Sequence, residues 1–284
     1  MDSGQLVALA NRLTTVDGVV GVILGGSRAR GEHLPDSDYD LGIYYRQRLD
    51  IAALTDLARA VAGADARVTV TGAWGPWMDG GGWLSVAGAA VDWIYRDLDR
   101  VRAAWDGAIR GHFEFNAQVG HPLGFPDFAY AGELALGVIL ADPTGRLAEL
   151  RQPMTAYPEA LRVSVVGRSL WEASFLIDGA GKAARRADAA YVAGCLFRVV
   201  GLCAHALHAD AGRWLINEKG AVTAAGALAG APADFAARGH GLFAALGVTR
   251  VDLDTTLDQA ADLVRDTAAA CQRNVSVAAP SLYR

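Results

Sequence analysis

A β-branched, apolar run of strand length, Val19 to Leu24, stops at Gly25-Gly26-Ser27, and a second such run opens with Ser37-Asp38-Tyr39-Asp40. No other feature narrows the choice of fold as much. A short apolar run ended by paired glycines predicts a buried strand followed by a sharp turn. Ser27 is then placed to cap a helix. Along the second run side chains alternate sides, so Asp38, Asp40 and Gly42 share one face and Tyr39, Leu41 and Ile43 the other. Two carboxylates side by side repel unless a cation lies between them, and hard oxygen ligands on a rigid strand suit Mg²⁺. A glycine turn entering a helix offers backbone N–H groups and a positive helix end to phosphate oxygens. A third carboxylate, Asp92, stands inside the apolar run Ala90 to Tyr95, where a charge needs a partner.

The surrounding pattern is mixed. Helices are expected over Gln5 to Thr15 and Ile51 to Val61, and strands over Val68 to Thr71, Trp83 to Val86 and Ala89 to Tyr95. Between them, Trp74, Trp77 and Gly80-Gly81-Gly82 read as a loop; Trp74, Trp77 and Trp83 read as packing residues, with a mobile flap of Trp77 and the glycines as the alternative. The turn-rich His121-Pro122-Leu123-Gly124-Phe125-Pro126 reads as a hinge. Beyond it the strand pattern disappears. Tyr130 to Leu140, Tyr157 to Asp178, Ala184 to Leu207 and Leu253 to Val275 read as helices, broken at Asp142-Pro143-Thr144-Gly145 and Asp178-Gly179-Ala180-Gly181. Gly220 to Ala233 is rich in alanine and glycine and reads as a mobile stretch. The fold class expected is α+β: a mixed-sheet domain over residues 1–125 and an all-α bundle over residues 126–284.

The pattern Gly26-Ser27-x-Ala29-Arg30-Gly31, then Ser37-Asp38-x-Asp40-Leu41, resembles the signature of the nucleotidyltransferase superfamily that includes DNA polymerase β and the antibiotic adenylyltransferases. With Asp92 the resemblance covers about the first 100 residues. It implies two Mg²⁺ ions held by Asp38 and Asp40, with Asp92 on the catalytic ion and helping to deprotonate the nucleophile. Gly25, Gly26, Ser27, Arg28 and Ser37 would hold ATP or another nucleoside triphosphate. The reaction implied is transfer of a nucleoside monophosphate to an acceptor with loss of pyrophosphate. In layout the helical half resembles the acceptor-binding domain of kanamycin-type enzymes, which implies a small hydroxylated acceptor such as an aminoglycoside and a role in antibiotic resistance. Drug-modifying members often use a glutamate as base, and Glu114, Glu133, Glu172 and Glu218 are the candidates, Glu172 as a raised-pKa group in an apolar helix.

Other residues have two readings each. Arg28 reaches a phosphate or ion-pairs with Glu32 or Asp36; Arg30 reads as structural, Tyr39 as core. His121 and Phe125 stack on a base, line the acceptor site or serve as ordinary loop residues, and Lys219 touches a phosphate or solvent. Arg198-x₆-His205 fits the spacing of the RNase motif of HEPN toxins, so a fused antitoxin–toxin module that nucleotidylates protein is the alternative function, with a nucleotide sensor lacking turnover as a third. The net charge of −5 argues against nucleic-acid partners and suits a cationic acceptor. No uncharged run reaches the roughly 18 residues of a membrane span and no basic leader precedes an apolar core, so a cytoplasmic protein without a membrane partner is expected. Cys195, Cys203 and Cys271 form no C-x-x-C pair and read as buried reduced thiols.

Overall fold

The computed structural model describes residues 1–31 and 33–272. It separates into two compact units, one of residues 1–107 and 114–156, the other of residues 108–113 and 157–272 among the described residues. The first unit therefore extends past the boundary expected at residue 125. Glu32 and the end of the helix expected to reach Val275 lie outside the described residues.

In the first unit the elements run α1 (Ser3–Leu13), β1 (Val19–Leu24), α2 (Gly26–Arg30), β2 (Tyr39–Tyr45), α3 (Ile51–Ala62), β3 (Gly81–Val86), β4 (Ala89–Asp97) and α4 (Leu98–Ala108). They continue with β5 (Phe115–Gln118), β6 (His121–Pro126), α5 (Ala129–Leu136), β7 (Val138–Ala141) and α6 (Arg146–Met154). Five strands form one sheet in the order β3-β4-β2-β1-β7. β2 and β4 are parallel; the other neighbours are antiparallel. One face is apolar and closed: Leu41, Ile43, Val91, Trp93 and Tyr95 pack with Leu6, Leu9, Leu13, Leu54 and Ala58 from α1 and α3. The opposite face presents Asp40, Asp92 and Trp83.

Several expectations are corrected. The hinge at residues 121–126 is a strand, hydrogen-bonded to β5 in a separate two-stranded hairpin. Its prolines are tolerated because a two-stranded ribbon needs few N–H donors. The helix expected over Tyr130 to Leu140 ends at Leu136, and the chain returns to the main sheet as β7. Gly137 permits that return, since a Cβ there would lie 2.6 Å from Ile23 Cδ1. Gly81 and Gly82 form no flap but begin β3, opposite Ile94 and Trp93; a Cβ on Gly81 would sit 1.7 Å from the Trp93 carbonyl oxygen. Val68 to Thr71 is irregular, though the Thr69 N–H donates to the Gly81 carbonyl at 2.8 Å.

The second unit is helical: α7 (Glu159–Ala184), α8 (Ala189–Asp210), α9 (Ala221–Gly226), α10 (Phe235–Ala244) and α11 (Arg250–Gln272). The break expected at Asp178-Gly179-Ala180-Gly181 is absent. α7 runs through it because Ala173, Ala180 and Ala184 are fully buried, and tertiary packing outweighs the roughly 1 kcal/mol that each glycine costs a helix. The stretch expected to be mobile contains α9. α8 is long and apolar enough to cross a membrane although Arg198 interrupts its uncharged run, and most of that stretch is buried inside the structure as a core helix would be. All three cysteines are buried and free.

Candidate functional site

The site is one row of residues across the sheet. At the end of β1, the Gly25 N–H donates to the Asp40 carbonyl at 2.8 Å. Asp40 on β2 lies opposite Asp92 on β4, and Asp92 opposite Trp83 on β3. Adjacent strands are about 5 Å apart, so these side chains stand shoulder to shoulder. Asp38, exposed just before β2, is close enough to add its repulsion. Burial raises the pKa of Asp40, with Glu133 and then Asp38 adding to it. Burial also raises Asp92 to about 6, helped by Asp40 and Asp38. Carboxylates that repel one another in this way form a donor set suited to a hard divalent cation. Among the described residues no three His, Cys, Asp or Glu side chains form a ready-made metal cluster. Asp40 Oδ2 instead rests against Gly26, where a Cβ would come within 1.7 Å of it.

The glycine turn has the expected position but a different cap. Gly25, not Ser27, is the N-cap of α2, and no side chain caps the helix. Ser27 lies in the first turn. Gly26 has φ +63° and no room for a side chain, so both backbone geometry and Asp40 require glycine there. Arg28 is turned toward the following loop. Its Nε donates to the carbonyls of Ser37 (2.9 Å) and Asp38 (3.2 Å), and its guanidinium lies 3.9 Å from the centre of the Tyr39 ring. Arg28 thus holds the chain that presents Asp38. Ser37 Oγ accepts from the Leu34 N–H at 2.9 Å, closing the same loop. Tyr39 is half-buried on the apolar side, its hydroxyl bonded to Met1.

Glu133, one of the four glutamates, neighbours the carboxylates within the first unit. Its Oε2 accepts from Arg96 Nε at 2.6 Å in a buried pair, and its charge acts on Asp40. Spacing alone could not reveal this pair, because 37 residues separate its members. Glu114 lies at the start of the β5–β6 hairpin, in the first unit. In the second, Glu172 is ion-paired with Arg198 on α8, not poised as a base, and Glu218 and Lys219 sit before α9. His205 is buried, and desolvation holds its pKa down to about 3. The supposed RNase pair therefore has a neutral, inaccessible imidazole and a committed guanidinium. Phe125 is buried against Tyr130 and in edge contact with His121. Trp77 packs beside the same ring.

The row ending in Trp83 went unread in the sequence, though the signal was present. The strands flank a two-residue turn, Ala87-Gly88, in which both residues have positive φ, as in a tight β-hairpin. That turn sets the register that brings Trp83 opposite Asp92.

Residues 7–70 match the nucleotidyltransferase domain family. That match contains the glycine turn, Asp38 and Asp40 and ends before Asp92; it supports transfer of a nucleoside monophosphate as the general chemistry. Residues 131–219 match a domain of unknown function, DUF4037, which spans parts of both units. No curated protein matches the chain. A crystal structure of a nucleotidyltransferase-like protein from Exiguobacterium sibiricum 255-15 is similar at 10% identity, with a TM-score of 0.45 over 95% of this chain and 74% of that one. A likeness at that score carries no argument.

Proposed function

We propose that the protein is an enzyme that transfers a nucleoside monophosphate, AMP from ATP, to a hydroxyl of a small acceptor of the aminoglycoside kind. The observation that carries the reading is the repelling row of Asp38, Asp40 and Asp92 beside the glycine turn. Asp38, Asp40 and Asp92 would hold two Mg²⁺ ions, which when bound neutralise phosphate charge and activate the acceptor oxygen. The N–H groups at Gly26 and Ser27 bind the β- and γ-phosphates. Arg28 and Ser37 contribute by fixing the loop that carries Asp38. Asp92 takes the proton of the attacking hydroxyl. A bond forms from that oxygen to the α-phosphorus as the bond to the bridging oxygen breaks, and pyrophosphate leaves with the electron pair. Glu133 serves to hold Arg96 and to keep the site negative rather than to act as a base. The test is release of pyrophosphate from ATP and Mg²⁺ with a panel of aminoglycosides. Release that requires Asp38 and Asp40 supports the reading, and release indifferent to them refutes it.

A further inference from the structure

We propose that Trp83, backed by Trp74, is the platform on which the ring of the acceptor stacks, a hydroxylated ring carrying protonated amines. This rests on the reading of the carboxylate row as the nucleotide site. The row has a direction: Gly25 at the phosphate cradle, then Asp40, then Asp92, then Trp83 on the edge strand. In-line transfer puts the leaving pyrophosphate and the attacking hydroxyl on opposite sides of the α-phosphorus. With pyrophosphate over the cradle at β1, the acceptor arrives from the β3 side. There the row ends in a large aromatic side chain that is 71% exposed.

The platform is built rather than incidental. The Trp74 ring stacks on Trp83 with centroids 4.6 Å apart and planes 20° from parallel. Trp74 itself packs over Gly81, where a Cβ would lie 2.9 Å from its ring. Gln118 on β5 donates to the Trp74 carbonyl at 2.6 Å and accepts from the Trp77 N–H at 3.0 Å, which fixes the loop. One face of Trp83 is thus backed, and the side chain stands on a paired strand beside Asp92. An indole face attracts cations and the C–H faces of saturated rings, and an amine-bearing ring offers both.

The experiment measures binding of kanamycin by isothermal titration calorimetry and, separately, release of pyrophosphate from ATP with kanamycin as the acceptor. Binding is expected to weaken by about tenfold in Trp83→Ala, and less in Trp83→Phe, which keeps an aromatic face. The KM for kanamycin should rise in the same order and by more than the KM for ATP, because only the acceptor rests on the platform. Equal affinity in wild type and Trp83→Ala, or no binding of kanamycin to wild type, overturns the proposal. If kanamycin binds through Trp83 but wild type releases no pyrophosphate, the platform stands and the transfer reading fails.

Discussion

The charges on the open face of the sheet and those between α7 and α8 were both candidates for chemistry, and they are organised in opposite ways. Asp38, Asp40 and Asp92 are like charges: burial raises the pKa of Asp40 and of Asp92, Asp38 adds to both, and Asp40 adds to Asp92. In the helical unit charges meet their opposites: Glu172 with Arg198, and Arg162 with both Glu159 and Asp210. Opposite charges settled on each other support the fold, whereas like charges held together oppose it unless a cation joins them. The buried pair Arg96–Glu133, beside the carboxylates, follows the rule of the helical unit. Removing one member of a pair should therefore destabilise the protein, and removing one carboxylate of the row should not.

The largest effect is expected at Glu133→Ala, which leaves Arg96 charged, 4% exposed and unpaired. Chemical denaturation should show a loss of about 3–5 kcal/mol. Gly26→Ala follows. The left-handed φ and the collision with Asp40 Oδ2 should lower stability by about 1–3 kcal/mol and displace the carboxylate, reducing pyrophosphate release more than tenfold. Glu172→Ala breaks a partly exposed pair and should cost about 1 kcal/mol, with pyrophosphate release unchanged.

The smallest effect has the opposite sign. Asp92 has a raised pKa in the fold, so the native state binds more protons than the unfolded chain between the ordinary carboxylate pKa and about 6. Metal-free stability should then fall as pH rises through that window. Asp92→Asn should flatten this dependence and raise the thermal midpoint by about 2 °C at neutral pH, while abolishing transfer. A fall in the midpoint would place Asp92 among the structural charges.

Local signals were legible where they decide the outcome. Val19 to Leu24 forms the strand that its apolar run demands, and Asp40 falls on the face that alternation assigns to it, whereas Asp38 lies just before β2. β7 is four residues long and directly follows a helix; only its pairing to β1 makes it a strand, and no local pattern encodes that. The glycines within α7 locally favour a break that packing overrides. The pairing of Arg96 with Glu133 and of Arg198 with Glu172 depends on which helices and strands meet, so no spacing along the chain discloses which charges are free for chemistry.

The central claim is that the carboxylate row is a metal-dependent nucleotidyl-transfer site. Its most direct test measures pyrophosphate release from ATP and Mg²⁺ in the presence of kanamycin, for wild type, Asp38→Asn and Asp40→Asn. Release by wild type that stops with a chelator and falls about a hundredfold or more in both variants is the predicted result. Equal release by all three proteins would contradict it.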